Sequence, residues 1–353
     1  MRPKVYLPRA TAVNSLATRE QTRHARRVSA DLPQPNQPPV RLMRRRAPER
    51  APITGSSIAL FRLGEICNHH CPMCSNSGRP EGHLIATDEL LLRAKFLHAE
   101  GMRRVVVTGG EPTAHPGFWT VVEGLAAIGM AWDINTNGSR LGEPGMAARC
   151  AELGLLRAIV SLHSLSPSVS AEISGTTLKG HAAILQSITE LVASGVAVMI
   201  NCVLTRLSLG TLADFVRGCA GLWGPQVVVK LVFPSTAGKG GSWAGIDLRY
   251  RDVADDVRRA AATAAELGME LVYENFPQCT LGDSGARNVA RSGFGETHYL
   301  EDLQGAELYS IDHIEAWFNA FPESCRLCAR RKECPGVAET YLRAHGPSEF
   351  RPL

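Results

Sequence analysis

Nowhere in the 353 residues is there a run approaching the roughly 20 apolar residues that a helix needs to span a bilayer, which argues against a helical membrane protein. The first residues do not read as a secretory signal, so the 10 cysteines are not expected to be a disulfide framework. Charge is modest, with 20% Asp, Glu, Lys and Arg against 44% hydrophobic residues. That balance gives ample material for a large core and more than one domain. The glycine-rich run Ser235–Ser242 contains a Gly-Lys pair but lacks the G-x4-G-K-[ST] spacing of a phosphate loop. Together these absences predict a cytoplasmic chain that uses its cysteines as metal ligands.

The most informative absence is a ligand. Cys67, Cys71 and Cys74 stand in the run Cys67-Asn68-His69-His70-Cys71-Pro72-Met73-Cys74. A closed tetrahedral zinc site or an ordinary iron–sulfur site takes four protein ligands, and this loop supplies three. Three thiolates can hold a cubane cluster by three corners and leave one iron open, the mark of a reactive site. Structural zinc completed by a distant ligand, or by His69 or His70, remains an alternative at this point.

Thirty-five residues after Cys74 comes Gly109-Gly110-Glu111-Pro112, directly after the strand-like Val105-Val106-Val107-Thr108. Glycines permit positive φ and expose backbone carbonyls, so backbone oxygens and one carboxylate can catch an ammonium group. The C-x3-C-x-M-C loop, with apolar Met73 before its third cysteine, and the Gly-Gly-Glu-Pro after the second strand resemble the radical S-adenosylmethionine (SAM) superfamily. The resemblance covers about residues 57–345. It implies a [4Fe-4S] cluster on Cys67, Cys71 and Cys74 whose open iron binds SAM. It also implies a SAM site that includes Met73, Gly109, Gly110, Glu111 and Pro112.

Between residues 57 and 233, β-branched runs alternate with helical patterns. Strands are predicted at Ser57–Leu63, Arg104–Thr108, Ala131–Thr136, Arg157–Leu162, Val196–Leu204 and Gln226–Phe233. The first helix is capped by Thr87 or Asp88, buries Leu90, Ala94 and Leu97 on one face, and stops at Gly101. Ile184, Ile188, Leu191 and Val192 stripe a later helix before Gly195. Such alternation predicts an α/β fold with a parallel sheet; the resemblance makes it a partial (β/α)6 barrel, whose chemistry lies in the loops after the strands. The strand ends Thr136-Asn137-Gly138 and Ser161-Leu162-His163-Ser164 then nominate Asn137 and Ser161 for SAM. Asn201 joins them by strand alternation. His163 is open between substrate contact and packing. Cys202, on a barrel strand, is a candidate hydrogen-atom donor, whereas Cys150 and Cys219 fall on predicted helices and read as core.

A second constellation, Cys325-Arg326-Leu327-Cys328 with Cys334 five residues on, resembles the auxiliary-cluster segment of SPASM and Twitch members of that superfamily. The longer pattern has another cysteine soon after the third, and none follows Cys334. With Cys279 as fourth ligand, the resemblance implies one auxiliary [4Fe-4S] cluster on Cys279, Cys325, Cys328 and Cys334; a structural zinc on the same ligands is the alternative.

Three regions are therefore expected. Residues 1–55 form a basic, proline-rich lead-in: the first 50 hold 12 of the 38 Lys and Arg but three acids, about +9, while the remainder carries −5. Its composition reads as a flexible solvated tail. Docking of an acidic leader peptide or RNA, or an organelle-targeting role, is also compatible with it. Residues 56–235 form the barrel and 236–353 the auxiliary-cluster extension. The resemblance implies reductive cleavage of SAM, hydrogen abstraction from a ribosomally made peptide, and a flavodoxin- or ferredoxin-type electron donor. A small metabolite in a cofactor or natural-product pathway is the alternative substrate, and a non-catalytic iron–sulfur electron carrier the alternative class. Neither a membrane nor a nucleic-acid partner is expected.

Overall fold

The computed structural model describes residues 42–43, 53, 57–74, 83–235, 239–282, 287–288, 297–300, 308–310, 318–332 and 334–353. The expected lead-in, apart from residues 42–43 and 53, lies outside them, as does part of the glycine-rich run Ser235–Ser242.

The strands are β1 (Leu42–Met43), β2 (Ile58–Arg62), β3 (Arg104–Thr108), β4 (Ala131–Thr136), β5 (Leu155–Ser161), β6 (Ala197–Val203), β7 (Val228–Val232), β8 (Leu271–Glu274), β9 (Arg287–Asn288), β10 (Thr297–Leu300), β11 (Leu308–Ser310), β12 (Asn319–Pro322) and β13 (Val337–Ala338). Among the described residues, the main sheet runs in the order β11-β10-β2-β3-β4-β5-β6-β7-β8-β9. Strands β2 to β8 are parallel and in sequential order, the arrangement that β-α-β crossovers produce. The six expected strands are β2 to β7, each within two residues of its predicted ends.

The crossovers carry α1 (Thr87–Ala99), α2 (Phe118–Ala127), α3 (Met146–Glu152), α4 (Pro167–Ser174), α5 (Leu178–Ala193), α6 (Leu212–Trp223) and α7 (Tyr250–Glu266). Further on come α8 (Gln278–Leu281) and α9 (Glu339–His345). The buried face of α1 is Leu90, Ala94 and Leu97, as its periodicity predicts. Its N-cap is Ala86, with no side-chain cap, because Thr87 is already helical.

Alternation along the strands separates two environments. Val105, Val107, Ile134, Ala158, Val160, Ile200, Cys202 and Leu231 join the helices' buried faces in one large core. The opposite, inner face has only a small apolar cluster of Ile159, Met199 and Val272, edged by Val228. At the N-terminal end of the strands, Arg104 Nη2 lies 2.6 Å from Oδ1 of Asp133, whose side chain is fully buried.

Two expected domain boundaries do not divide the sheet. Strand β8 continues it beyond residue 235 in register with β7 (Val229↔Leu271), and β10 adds to its other edge beside β2 (Thr297↔Ile58). Strands β8 to β11 of segment 236–353 therefore belong to the main sheet, because backbone groups at both of its edges pair with them. Likewise β1, inside the expected lead-in, pairs antiparallel with β12 (Leu42↔Pro322). Among the described residues, no helix is long and apolar enough to cross a membrane.

Candidate active site

The cysteine loop begins where β2 ends, and three backbone bonds clamp it to the end of β3. Leu63 N donates to Thr108 O (2.9 Å), Gly110 N to Gly64 O (2.9 Å) and Glu111 N to Ile66 O (2.7 Å). This close approach is the structural reason for the glycine pair. A Cβ on Gly110 would lie 2.1 Å from the Ile66 carbonyl oxygen, and one on Gly109 (φ +149°) 2.5 Å from that of Gly64. The loop's other flank rests on the C-terminus of α4. His70 N donates to Gly175 O (3.2 Å) and the Cys71 thiol to Ser174 O (3.1 Å).

Cys67 is exposed at the loop surface, while Cys71 and Cys74 are half-buried. Burial, then the neighbouring Cys74 and Cys67, pushes the Cys71 thiol up to about 12. Burial also raises Cys67; the His69 N–H, 3.4 Å from its sulfur, works the other way. Burial and neighbouring thiols raise both Cys67 and Cys71, and a positively charged inorganic centre would reverse that effect.

Glu111 is 2% exposed and its carboxylate is fully engaged. Oε1 accepts from Thr113 N (3.0 Å), Thr113 Oγ1 (2.6 Å) and Thr136 Oγ1 (2.9 Å), and Oε2 from Asn137 N (2.7 Å). Burial raises its pKa, and these bonds oppose the rise. The side chain thus joins the turn after β3 to the end of β4, which makes it a brace as well as a candidate ligand. Pro112 is buried at the head of the short 3-10 turn Pro112–Ala114. Asn137 in turn reaches the cysteine loop: its Nδ2 donates to Asn68 Oδ1 (2.8 Å) and lies 3.8 Å from Cys67 Sγ. Asn68 Nδ2 closes the set on Ser139 Oγ (2.8 Å). Met73 sits half-buried in the loop beside Cys74.

Ser161 and Asn201 are register partners on β5 and β6, and Asn201 pairs in turn with Lys230 on β7. All three share the inner face with Met199. Cys202 does not. It is fully buried in the core between sheet and helices, its thiol directed at His163 O (3.6 Å) and pushed up to about 12 by burial. The expected hydrogen-donor role is corrected on this ground: two-residue alternation that turns Asn201 inward turns Cys202 out. Cys150 and Cys219 are equally buried on α3 and α6. His163 is buried too. Its Nδ1 accepts the Val203 N–H (3.2 Å), which leaves the proton on Nε2, and burial, with a smaller contribution from His69, lowers its pKa to about 4.

At the far end of the chain, Cys279 on α8, Cys325, Cys328 and Cys334 line one small cavity with Phe321, Phe350 and arginines that include Arg330 and Arg331. Gly336 N donates to Cys334 Sγ (3.4 Å). Burial pushes Cys279 up to about 11, and the other three cysteines add to the rise. The cavity adjoins an aromatic wall in which Phe233 stacks on Tyr250 (3.9 Å between centroids), with Phe276, Tyr341 and Phe350 around them. Among the described residues, no three His, Cys, Asp or Glu side chains are grouped as ligands of a single metal ion would be.

Several positions had no sequence signal. Ser174 and Gly175 look like an ordinary helix end, and Thr113 like a turn residue. Lys230 and Glu274, joined by a 2.7 Å ion pair, are single charges within apolar strands.

Residues 61–217 match the model of the radical SAM superfamily. A probable GTP 3',8-cyclase of Thermococcus kodakarensis is 33% identical over 172 residues, 48% of this chain and 54% of that protein. Mycofactocin maturase MftC of Mycobacterium ulcerans is 29% identical over 180 residues, 50% of this chain and 48% of that protein. The chain thus spans about half the length of the curated relatives it matches. The crystal structure of Streptococcus suis SuiB aligns with a TM-score of 0.49 and 15% identity, over 62% of this chain and 49% of SuiB. Residues 61–217 thus carry the match to a radical SAM domain.

Proposed function

We propose that the protein reductively cleaves SAM and uses the resulting radical to modify a peptide. The observation that carries the first part is the clamp: three thiols on one loop, held by Gly64 and Ile66 against Gly110 and Glu111. The donor set fits a [4Fe-4S] cluster, because burial and then Cys74 and Cys67 raise the pKa of Cys71, and a polycationic centre reverses that effect. Cys67, Cys71 and Cys74 would hold such a cluster, and with SAM bound it would supply the reductive, one-electron chemistry that starts hydrogen abstraction from the substrate.

The chain's own residues provide position and exclusion of water. Glu111 fixes the distance between the ends of β3 and β4, so that the Gly109–Gly110 backbone can meet the methionine amino group. Asn137, tied to Asn68, stands beside Cys67 where the ribose or carboxylate of SAM is expected. Ser161 and Asn201 offer further polar contacts on the inner face. Cys279, Cys325, Cys328 and Cys334 fit a second [4Fe-4S] cluster, four thiols lining one cavity with arginines that offset its negative charge. A flavodoxin- or ferredoxin-type protein would supply the electron.

The peptide reading is supported by the C-terminal cysteine spacing and by the similarity to mycofactocin maturase MftC. The similarity to probable GTP 3',8-cyclases favours the second reading, a small metabolite. The decisive experiment is anaerobic reconstitution followed by dithionite and SAM. The expected product is 5'-deoxyadenosine, with about eight irons per chain. Absence of 5'-deoxyadenosine from iron-replete protein refutes the enzymatic reading, and about four irons plus one zinc removes the second cluster.

A further inference from the structure

The inner face holds a charged pair that the SAM site does not use. Lys230, in the middle of β7, is 6% exposed, and its Nζ lies 2.7 Å from Oε2 of Glu274, the last residue of β8. Strand alternation places both on the side opposite Leu231 and Tyr273, which belong to the helix-covered core. Apolar Val228 and Val272 share their face. Through register, Lys230 continues the row Ser161–Asn201, and Glu274 stands at the end of its strand, as Ser161 does on β5. The pair is therefore at the mouth that also carries the cysteine loop.

Burying a lysine and a glutamate costs several kcal/mol per ion, and their mutual attraction offsets this only when further hydrogen bonds satisfy the remaining protons and lone pairs. Here those bonds are not made by any described residue. Among the described residues, the ammonium has this one hydrogen bond, so two of its three N–H donors are uncommitted, and so is Oε1 of Glu274. The Glu274 side chain is 27% exposed, which leaves the pair reachable from the mouth.

The identity of the missing partner follows from the sign of the pair. An anion would be attracted by Lys230 and repelled by Glu274 at almost the same distance, and a cation the reverse. A neutral group with a donor and an acceptor on one edge gains from both. A primary carboxamide has that edge, whereas the N–H and C=O of a trans peptide bond point in opposite directions. We propose that Lys230 and Glu274 form a substrate subsite for the side-chain carboxamide of an asparagine or glutamine in a peptide. Lys230 donates to the amide oxygen, and the amide N–H donates to Glu274 Oε1.

This inference rests on the inner face being the active site of a peptide-modifying enzyme, but its test needs no turnover. Reconstituted protein with SAM bound is titrated by calorimetry with acetyl-Ala-Gln-Ala-N-methylamide and with its Glu and Lys counterparts. The glutamine peptide is expected to bind tighter than either by on the order of ten-fold or more, since a site with buried polar groups rejects ligands that leave them unpaired. In Lys230→Met/Glu274→Leu, which removes both charges together and so leaves neither buried alone, that preference disappears. Circular dichroism identical to the parent's shows that the double variant is folded; if it is not, Lys230→Leu/Glu274→Met takes its place. Equal or tighter binding of the glutamate peptide, binding of none of the three, or a preference that survives in the folded double variant overturns the proposal. Failure of the SAM reading is read separately, by 5'-deoxyadenosine.

Discussion

The two cysteine sites differ in what holds them. Cys67, Cys71 and Cys74 hang on the main sheet itself, through backbone bonds to the end of β3 and to the end of α4. Cys279, Cys325, Cys328 and Cys334 are gathered from a one-turn helix and a turn-rich segment, against a wall of aromatic rings. Three ligands on a rigid frame leave a coordination position whose geometry the frame controls. Four ligands around a cavity can close a centre completely. The first arrangement suits chemistry and the second suits electron handling or bracing.

The comparison is broken most directly by removing one thiol from each. Cys71→Ala is expected to lower 5'-deoxyadenosine formation by at least about 10³-fold, the scale on which loss of an essential group is felt. Cys328→Ala should lower iron content by about four per chain, yet keep SAM cleavage within roughly ten-fold of the parent. Equal loss of cleavage in both variants would mean that the second site is part of the first one's chemistry.

A smaller effect tests the frame without touching a ligand. At Gly175, φ is +56° and a Cβ would lie 2.1 Å from His70 O, whereas at Gly195, φ +73°, it would meet nothing within 4 Å. Both substitutions by Ala carry the cost of a left-handed residue, about 1–3 kcal/mol. Only Gly175→Ala pushes the cysteine loop, and a misplacement on the order of 1 Å costs ~10²-fold in rate. Matching losses of SAM cleavage at the two positions would show that the α4 contact does not position the loop.

The smallest effect separates the inner frame from the solvent. Folding depresses the pKa of His163 to about 4 from its ordinary 6.5. Its contribution to stability is therefore complete above pH 6.5, where both states are neutral, and is lost as pH falls towards 4, where only the unfolded chain has gained the proton. The full span corresponds to about 3 kcal/mol. Urea unfolding of the metal-free chain should show that slope, and His163→Gln should flatten it; an unchanged slope would place the imidazole in contact with water.

Most of the fold was legible because strands β2 to β7 are β-branched runs separated by amphipathic helices, and the two periods differ. The edges of the sheet were not. Strands β9, β10 and β11 are two to four residues long and carry no pattern distinguishable from a loop. Within the site, spacing identified the thiols and the Gly-Gly-Glu-Pro turn. It suggested that the glycines bare their carbonyls; the structure adds that they let two backbones touch. Cys202 illustrates the opposite limit. Its position on a barrel strand was evident, but a one-residue shift of phase decides between the inner face and the core.

By itself the sequence determined the parallel α/β plan, the three-thiol loop and its neighbour motif, since each depends on residue type and local spacing. Tertiary structure alone decided that Glu111 is a brace, that the segment after residue 235 extends the barrel sheet, and that Lys230 meets Glu274 at its mouth. These are contacts between residues 25 to 240 positions apart, and no local period encodes them. They exist because strands distant in sequence lie side by side once the sheet has formed.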